Sequence, residues 1–172
     1  MTLQNLTIII CVLLLAASAA ADNPIQVGLG QNTADLYIEF SDGFITQFAV
    51  SFDTSTITGL EMFDIVEAET TLATDRQDYG WGVFINGIDY LGHSDLGYQG
   101  GEDWWHYWVD DGLGWNAPGY GVADRLLYDG YADGWIYGRA GQPVPEPAAL
   151  VMLATGFVLI RRRTNYLQNK CA

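Results

Sequence analysis

From Leu36 to Phe52 the chain alternates side-chain character with a period of two, and that period admits a β-strand and little else. Leu36, Ile38 and Phe40 alternate with polar or amphipathic partners; Phe44, Thr46, Phe48, Val50 and Phe52 alternate with Ile45, Gln47, Ala49 and Ser51. Successive side chains of a strand point to opposite faces, so each run has one face to bury. Ser41-Asp42-Gly43 between the runs is turn chemistry, and together they predict a β-hairpin. The period then changes. Thr58-Gly59-Leu60-Glu61 is a capping box, with Thr as N-cap and Glu three residues later. It predicts a short helix from Gly59 to Glu69, with Leu60, Phe63 and Val66 at helical spacing and Asp64, Glu67 and Glu69 toward solvent.

The second half is built from aromatic strands and glycine turns. Tyr79-Gly80-Trp81-Gly82-Val83-Phe84-Ile85 reads as a strand, and Asn86-Gly87 as a type I′ turn before Ile88-Asp89-Tyr90. A glycine-rich loop follows from Gly92 to Gly101. Trp104-Trp105-His106-Tyr107-Trp108-Val109 is a strand with rings on both faces, turned by Asp110-Asp111-Gly112. Arg125 to Tyr128 is another strand, Asp129-Gly130 and Asp133-Gly134 are turns, and Trp135-Ile136-Tyr137-Gly138 closes the fold. The expected class is mainly β (α+β): a small antiparallel sheet domain with one short helix.

All 21 acidic residues lie between Asp22 and Glu146, against three arginines (Arg76, Arg125, Arg139), a balance of −18 for that stretch. Such a surface repels nucleic acid and anionic polysaccharide; solubility of a tryptophan-rich domain also accounts for it. Disorder is excluded by six tryptophans with tyrosine and phenylalanine throughout.

Both ends carry apolar segments. Ile8 to Ala16 has the length of a secretory core, and Ala17-Ser18-Ala19-Ala20-Ala21 offers small residues for cleavage, so residues 1–21 read as a signal peptide. Cys11 leaves with it, and Cys171 lies beyond the C-terminal motif. The processed domain, about 22–140, therefore has no disulfide, thiolate metal site or cysteine nucleophile. After a linker at 141–147 come an uncharged run from Ala148 to Ile160, a basic stop at Arg161-Arg162-Arg163, and a tail at 164–172. Val144-Pro145-Glu146-Pro147, the apolar run and the arginines resemble the PEP-CTERM sorting signal. The resemblance implies signal peptidase and exosortase as processing partners, transient anchoring in the inner membrane, and release to the cell surface or medium. The arginines match a cytoplasmic end under the positive-inside rule, and an ordinary C-terminal membrane anchor is the plainer alternative. The tail from Thr164 to Ala172 departs from the pattern, in which such chains stop soon after the arginines.

The order from the hairpin through Thr58-Gly59-Leu60, the aromatic strands and Trp135-Ile136-Tyr137 resembles the small β domain at the C-terminus of transcobalamin and intrinsic factor. That resemblance, over about Leu36 to Gly138, implies a β-grasp-like arrangement of a hairpin, one helix and further strands crossing it. In the animal proteins the domain helps cover cobalamin. Where that family has Val-Asn-Gly, this chain has Val109-Asp110-Asp111-Gly112.

Catalytic signatures are missing: there is no Gly-x-Ser-x-Gly, His-Glu-x-x-His or phosphate loop. Asp129 to Gly134 begins like a calcium loop but has Tyr131 at position three and Ala140 at position twelve. His93 and His106, with Asp95, Glu102 and Asp103 between them, match no metal-ligand spacing, and no cofactor is expected. Paired carboxylates such as Glu102 and Asp103 would suit a glycoside hydrolase. The remaining feature is aromatic. Alternation gives Trp104, His106 and Trp108 one face and Trp105, Tyr107 and Val109 the other. With the Trp105 side toward the helix, Trp104 and Trp108 beside His106, with Trp135, form the candidate ligand platform; filling a thin core is the competing use of such rings. The expected function is that of an exported, surface-sorted, non-enzymatic structural or binding module. Alternatives are a corrinoid-like small-ligand binder and a carboxylate glycoside hydrolase acting on extracellular polysaccharide.

Overall fold

The structure, a computed structural model, describes residues 23–143, and two of its three longest strands are the ones that the period-two runs specify. In chain order the elements are β1 (Ile25–Gly28), β2 (Asn32–Glu39), β3 (Ile45–Phe52), β4 (Ile57–Thr58), α1 (Gly59–Glu69), β5 (Ala73–Asp78), β6 (Val83–Tyr90), β7 (His93–Leu96), β8 (Trp105–Asp110), β9 (Trp115–Asn116), β10 (Leu126–Leu127) and β11 (Ala132–Tyr137). The described chain is mainly β with one short helix. β2 and β3 form the expected hairpin, Leu36 opposite Phe48 and Ile38 opposite Thr46. Its turn is closed by the Gly43 N–H donating to the Phe40 carbonyl at 3.0 Å. The helix starts as its cap dictates. The Thr58 N–H donates to the Glu61 carboxylate at 2.6 Å, and the Glu61 N–H donates back to the Thr58 hydroxyl at 3.1 Å.

The expected antiparallel sheet is instead mixed. Its order is β1-β3-β2-β11-β8-β9, with β1 parallel to β3 and β11 parallel to β2. The last strand is a central one. Antiparallel pairing with β8 sets its direction, and that direction runs parallel to β2 on its other side. A three-stranded antiparallel sheet, β5-β6-β7, and the two-stranded β10-β4 pair complete the strands.

Two glycine-containing pairs and one longer glycine-containing stretch behave differently from the sequence expectation. Asn86-Gly87 lies inside β6, where the pairing with β5 slips by one residue and leaves a bulge at Asn86. The reversal comes later, at Leu91-Gly92, both with positive φ (52° and 89°), between the paired Tyr90 and His93. Positive φ at both central residues is the type I′ geometry, so the turn type is right and its place is wrong. The bulge has a purpose: Ile85 and Ile88 are three apart and would face opposite ways in an unbroken strand, yet both are buried in the core. Asp133-Gly134 likewise lies within β11. Tyr79 to Gly82 is a turn ahead of β6, closed by the Tyr79 N–H donating to the Gly82 carbonyl at 3.1 Å. β7 sits in the stretch expected to be loop.

The core lies on one face of the six-stranded sheet. Leu36, Ile38, Phe48, Val50, Trp135 and Trp105 meet Met62, Phe63 and Val66 of α1 on one side and Ile85, Ile88 and Tyr90 of the second sheet on the other. Phe63 is fully buried, its ring edge-on to Trp135 at 5.7 Å. Among the described residues no helix is long and apolar enough to cross a membrane. The expected signal peptide, the Val144-Pro145-Glu146-Pro147 motif, the apolar run and Arg161, Arg162 and Arg163 lie outside the described residues.

Phe63→Ala should lower the unfolding free energy by about 3–5 kcal/mol, measured by equilibrium urea unfolding. A loss below about 1 kcal/mol would mean that the α1 face contributes little to the core.

Candidate functional site

A cleft of about 850 Å³ opens between β6, the start of β8 and the loop at 117–122. Its rim is aromatic. Tyr79 and Trp81 come from the turn before β6, Phe84 from β6, Tyr98 from the segment after β7, Trp104 from just before β8, and Tyr120 from the loop; all six are exposed, Trp81 at 75% and Tyr98 at 71%. Three of them brace one another. Tyr79 lies over Trp81 at 6.0 Å with planes 24° apart, and Phe84 stands edge-on to both at 5.5 and 5.4 Å. The tight turn holds the first two out: Gly80 has φ 78°, and its N–H donates to the Asp78 carboxylate at 2.7 Å. Trp105, Tyr107 and Trp135 line the cleft from the core, the last two stacked at 4.4 Å and 17°.

A buried ionic cluster positions this floor. Asp133 is fully buried on β11 and accepts from the Tyr107 hydroxyl at 2.6 Å and from Arg125 Nε at 2.9 Å. Arg125 Nη1 reaches Asp111 at 2.6 Å and donates to the Tyr120 hydroxyl at 3.3 Å. Its Nη2 is buried with no hydrogen-bond partner, and the guanidinium lies 5.3 Å from the centre of the Tyr131 ring. Burial pushes the Asp133 carboxyl up to about 6, against the opposing pull of the Tyr107 hydroxyl and Arg125. Burial also opposes the Arg125 charge, but Asp133 and Asp111 outweigh it and hold the guanidinium protonated. Burial and the Asp133 charge raise Tyr107, which stays a neutral donor.

The structure divides the predicted platform. β8 alternation places His106 and Trp108 on the outer face, whereas Trp135, opposite Tyr107 in register, lies on the inner face within the core. His106 is buried, its Nε2 3.1 Å from the Glu102 carbonyl, with Trp104 against its ring at 3.8 Å. Trp108 is half-buried, its indole nitrogen without a partner. Trp104 and Trp135 alone of the four line the cleft. The Trp105 face does turn inward, as expected. His93 is elsewhere, 2.6 Å from Asp42 and stacked on Phe44 at 3.8 Å. The Phe44 N–H and His93 hold the Asp42 carboxyl below its usual value. No group of three or more His, Cys, Asp or Glu among the described residues is placed to hold a metal ion.

The stretch before the motif is docked on the outer face. Arg139 forks onto Glu39 at 2.8 and 2.6 Å, and Gln142 donates to the Trp115 carbonyl at 3.1 Å. Pro143 is buried against Gly134, where a Cβ would come within 2.4 Å of it. The folded unit therefore includes 141–143, which composition assigns to the linker. Sequence reasoning did not single out Tyr79, Trp81, Phe84, Tyr98 and Tyr120 for the site. The available signal was aromatic residues beside glycines, in segments with no face to bury.

Because the folded pKa of Asp133 lies above the unfolded value near 4, the folded state holds more protons between about pH 4 and 6. The contribution of this carboxyl to stability is therefore full below pH 4 and falls as pH rises to 6. Asp133→Asn should remove that slope, at most about 1.4 kcal/mol per pH unit, from unfolding free energies measured across the window. An unchanged slope would place the titration elsewhere.

Comparison of the chain with protein-family models, with curated proteins and with solved structures finds no match.

Proposed function

We propose that this chain is an exported, surface-sorted, non-enzymatic binding module of the cell envelope or extracellular matrix, and that the aromatic cleft is where it binds. The observation that carries the binding part is the convergence of six exposed rings on one cleft. Rings left in water have no folding reason to gather at one place, and contiguous exposed apolar surface marks interaction sites. Concave, mostly apolar sites with a few polar groups are the usual form of a ligand site. One carboxylate, Asp124, lines the cleft among the described residues. Glycoside hydrolysis uses two, flanking the scissile bond, so the lining favours binding over that chemistry. The export part rests on the small-residue site at 17–21 and on Val144-Pro145-Glu146-Pro147 followed by the apolar run and Arg161, Arg162 and Arg163. In this reading residues 1–21 and 148–163 form helices outside the domain, signal peptidase and exosortase remove them, and the membrane holds the chain only until then. Nucleic acid is no partner, given the charge.

A second reading, a corrinoid-like small-ligand binder with a β-grasp-like fold, is favoured by the order of elements. A hairpin, one helix packed across it, and further strands beside them are the arrangement that resemblance implies.

The sorting reading predicts that the native exported protein ends near Pro147, as intact-mass measurement would show; recovery of Arg161 to Ala172 in the mature form would leave a plain anchor. The binding reading predicts that Trp81→Ala leaves the melting temperature within about 2 °C, since surface changes cost little, while removing most ligand-induced change in tryptophan fluorescence. Unfolding of that variant would make the rim part of the core.

A further inference from the structure

We infer that the cleft takes an uncharged polysaccharide strand, an assignment that deepens and rests on the binding-module reading. Charge decides most of it. Among the described residues every arginine is already committed to carboxylates: Arg76 to Asp64 and Glu67, Arg125 to Asp111 and Asp133, Arg139 to Glu39. His93 and His106 each lie beside an acidic side chain as well. The cleft lining contains no Lys, Arg or His. A phosphate, sulfate or uronate group entering it would meet no cation, inside a domain with a large acidic excess. A cationic ligand would need several carboxylates, and the lining supplies Asp124.

The ligand is therefore neutral, and the walls say what faces it has. Tyr79, Trp81 and Phe84 form one braced aromatic wall; Tyr98, Trp104 and Tyr120 are separate rings around the opening. Pyranose rings present flat patches of C–H groups that stack on such rings, with hydroxyls around the edge for hydrogen bonds. The polar side chains of the lining are matched to those hydroxyls: the amides of Gln77 and Asn86 and the Asp124 carboxylate. Trp135, also in the lining, carries a buried indole N–H with no acceptor, an unmet donor that a hydroxyl oxygen reaching the floor would satisfy. A cleft open at the surface, rather than an enclosed cavity, suits a strand that continues past it on either side.

The test is affinity gel electrophoresis of the full chain through gels containing starch, dextran, mannan, xylan or hydroxyethylcellulose, with carboxymethylcellulose and alginate as anionic counterparts and equilibrium dialysis against cyanocobalamin in parallel. Retardation in at least one neutral gel and none in the anionic gels is expected. Trp81→Ala and Tyr98→Ala, both on the rim, should each weaken it roughly tenfold, as loss of one stacking ring does, with an unchanged melting temperature. Retardation only by anionic polymers, or cobalamin binding with none in any neutral gel, would overturn the glycan assignment while leaving a binding module. No binding in any arm would overturn both; neutral-gel retardation that both variants leave intact would overturn the cleft as the glycan site while leaving a binding module.

Discussion

A carboxylate sits in the middle of the main sheet, and the arrangement around the cleft follows from having to satisfy it. Asp133 is on the central strand β11 with no exposure to solvent. A charge so placed is costly unless paired and hydrogen-bonded. Arg125 and Tyr107 meet that need, and each brings structure with it. Arg125 carries the loop that ends β9, and with it Tyr120, onto the inner face of the sheet. Tyr107 is fixed in the rotamer that stacks on Trp135. Removing one partner would leave a buried charge, so the cluster acts as a unit. Gly59, the first residue of α1, closes the arrangement from above. A Cβ there would lie 2.8 Å from the Val122 carbonyl and 3.3 Å from the Asp133 carboxylate, so glycine lets the helix start approach.

The three arginines of the folded unit are used in the same manner, each tying together separate elements. Arg76 joins β5 to α1, Arg125 joins the loop to β11, and Arg139 joins the C-terminal stretch to β2. Solvent-accessible pairs contribute only about 0–1 kcal/mol each; the Arg76 and Arg139 pairs are partly accessible, so they guide placement more than they add stability. Arg125 differs because it is buried. With all three engaged, the acidic surface has no spare cation, and the same economy of positive charge that orders the fold selects against anionic ligands.

Aromatic residues divide into two populations by what lies behind them. Phe48, Phe63, Trp105 and Trp135 occur where a strand or helix has a face to bury, and they fill a core between one sheet, one helix and a small second sheet. Tyr79, Trp81, Phe84 and Tyr98 lean on one another or on solvent. Folding accounts for the first population; for the second, binding is the role we propose.

Local chemistry was enough to determine the hairpin of β2 and β3, the capped helix from Gly59 to Glu69, and the inward turn of the Trp105 face, because period and capping act over a few residues. It was not enough for Asp133-Gly134 or Asn86-Gly87. Each reads as a turn, but Asp133 is stabilised by an arginine eight residues upstream and a tyrosine on β8, and Gly134 is required by Pro143 and Trp115 lying across it. Asn86 is held as a bulge by its amide donating to Asp75 and its carbonyl accepting from Gly97. The parallel placement of β11 beside β2 has the same origin, since pairing between strands nearly a hundred residues apart leaves no mark in either strand's own pattern. The cleft is decided at that level as well. Its rings come from four separate stretches of chain, and only the closure of β6, β8 and the loop at 117–122 around a shared space brings them together.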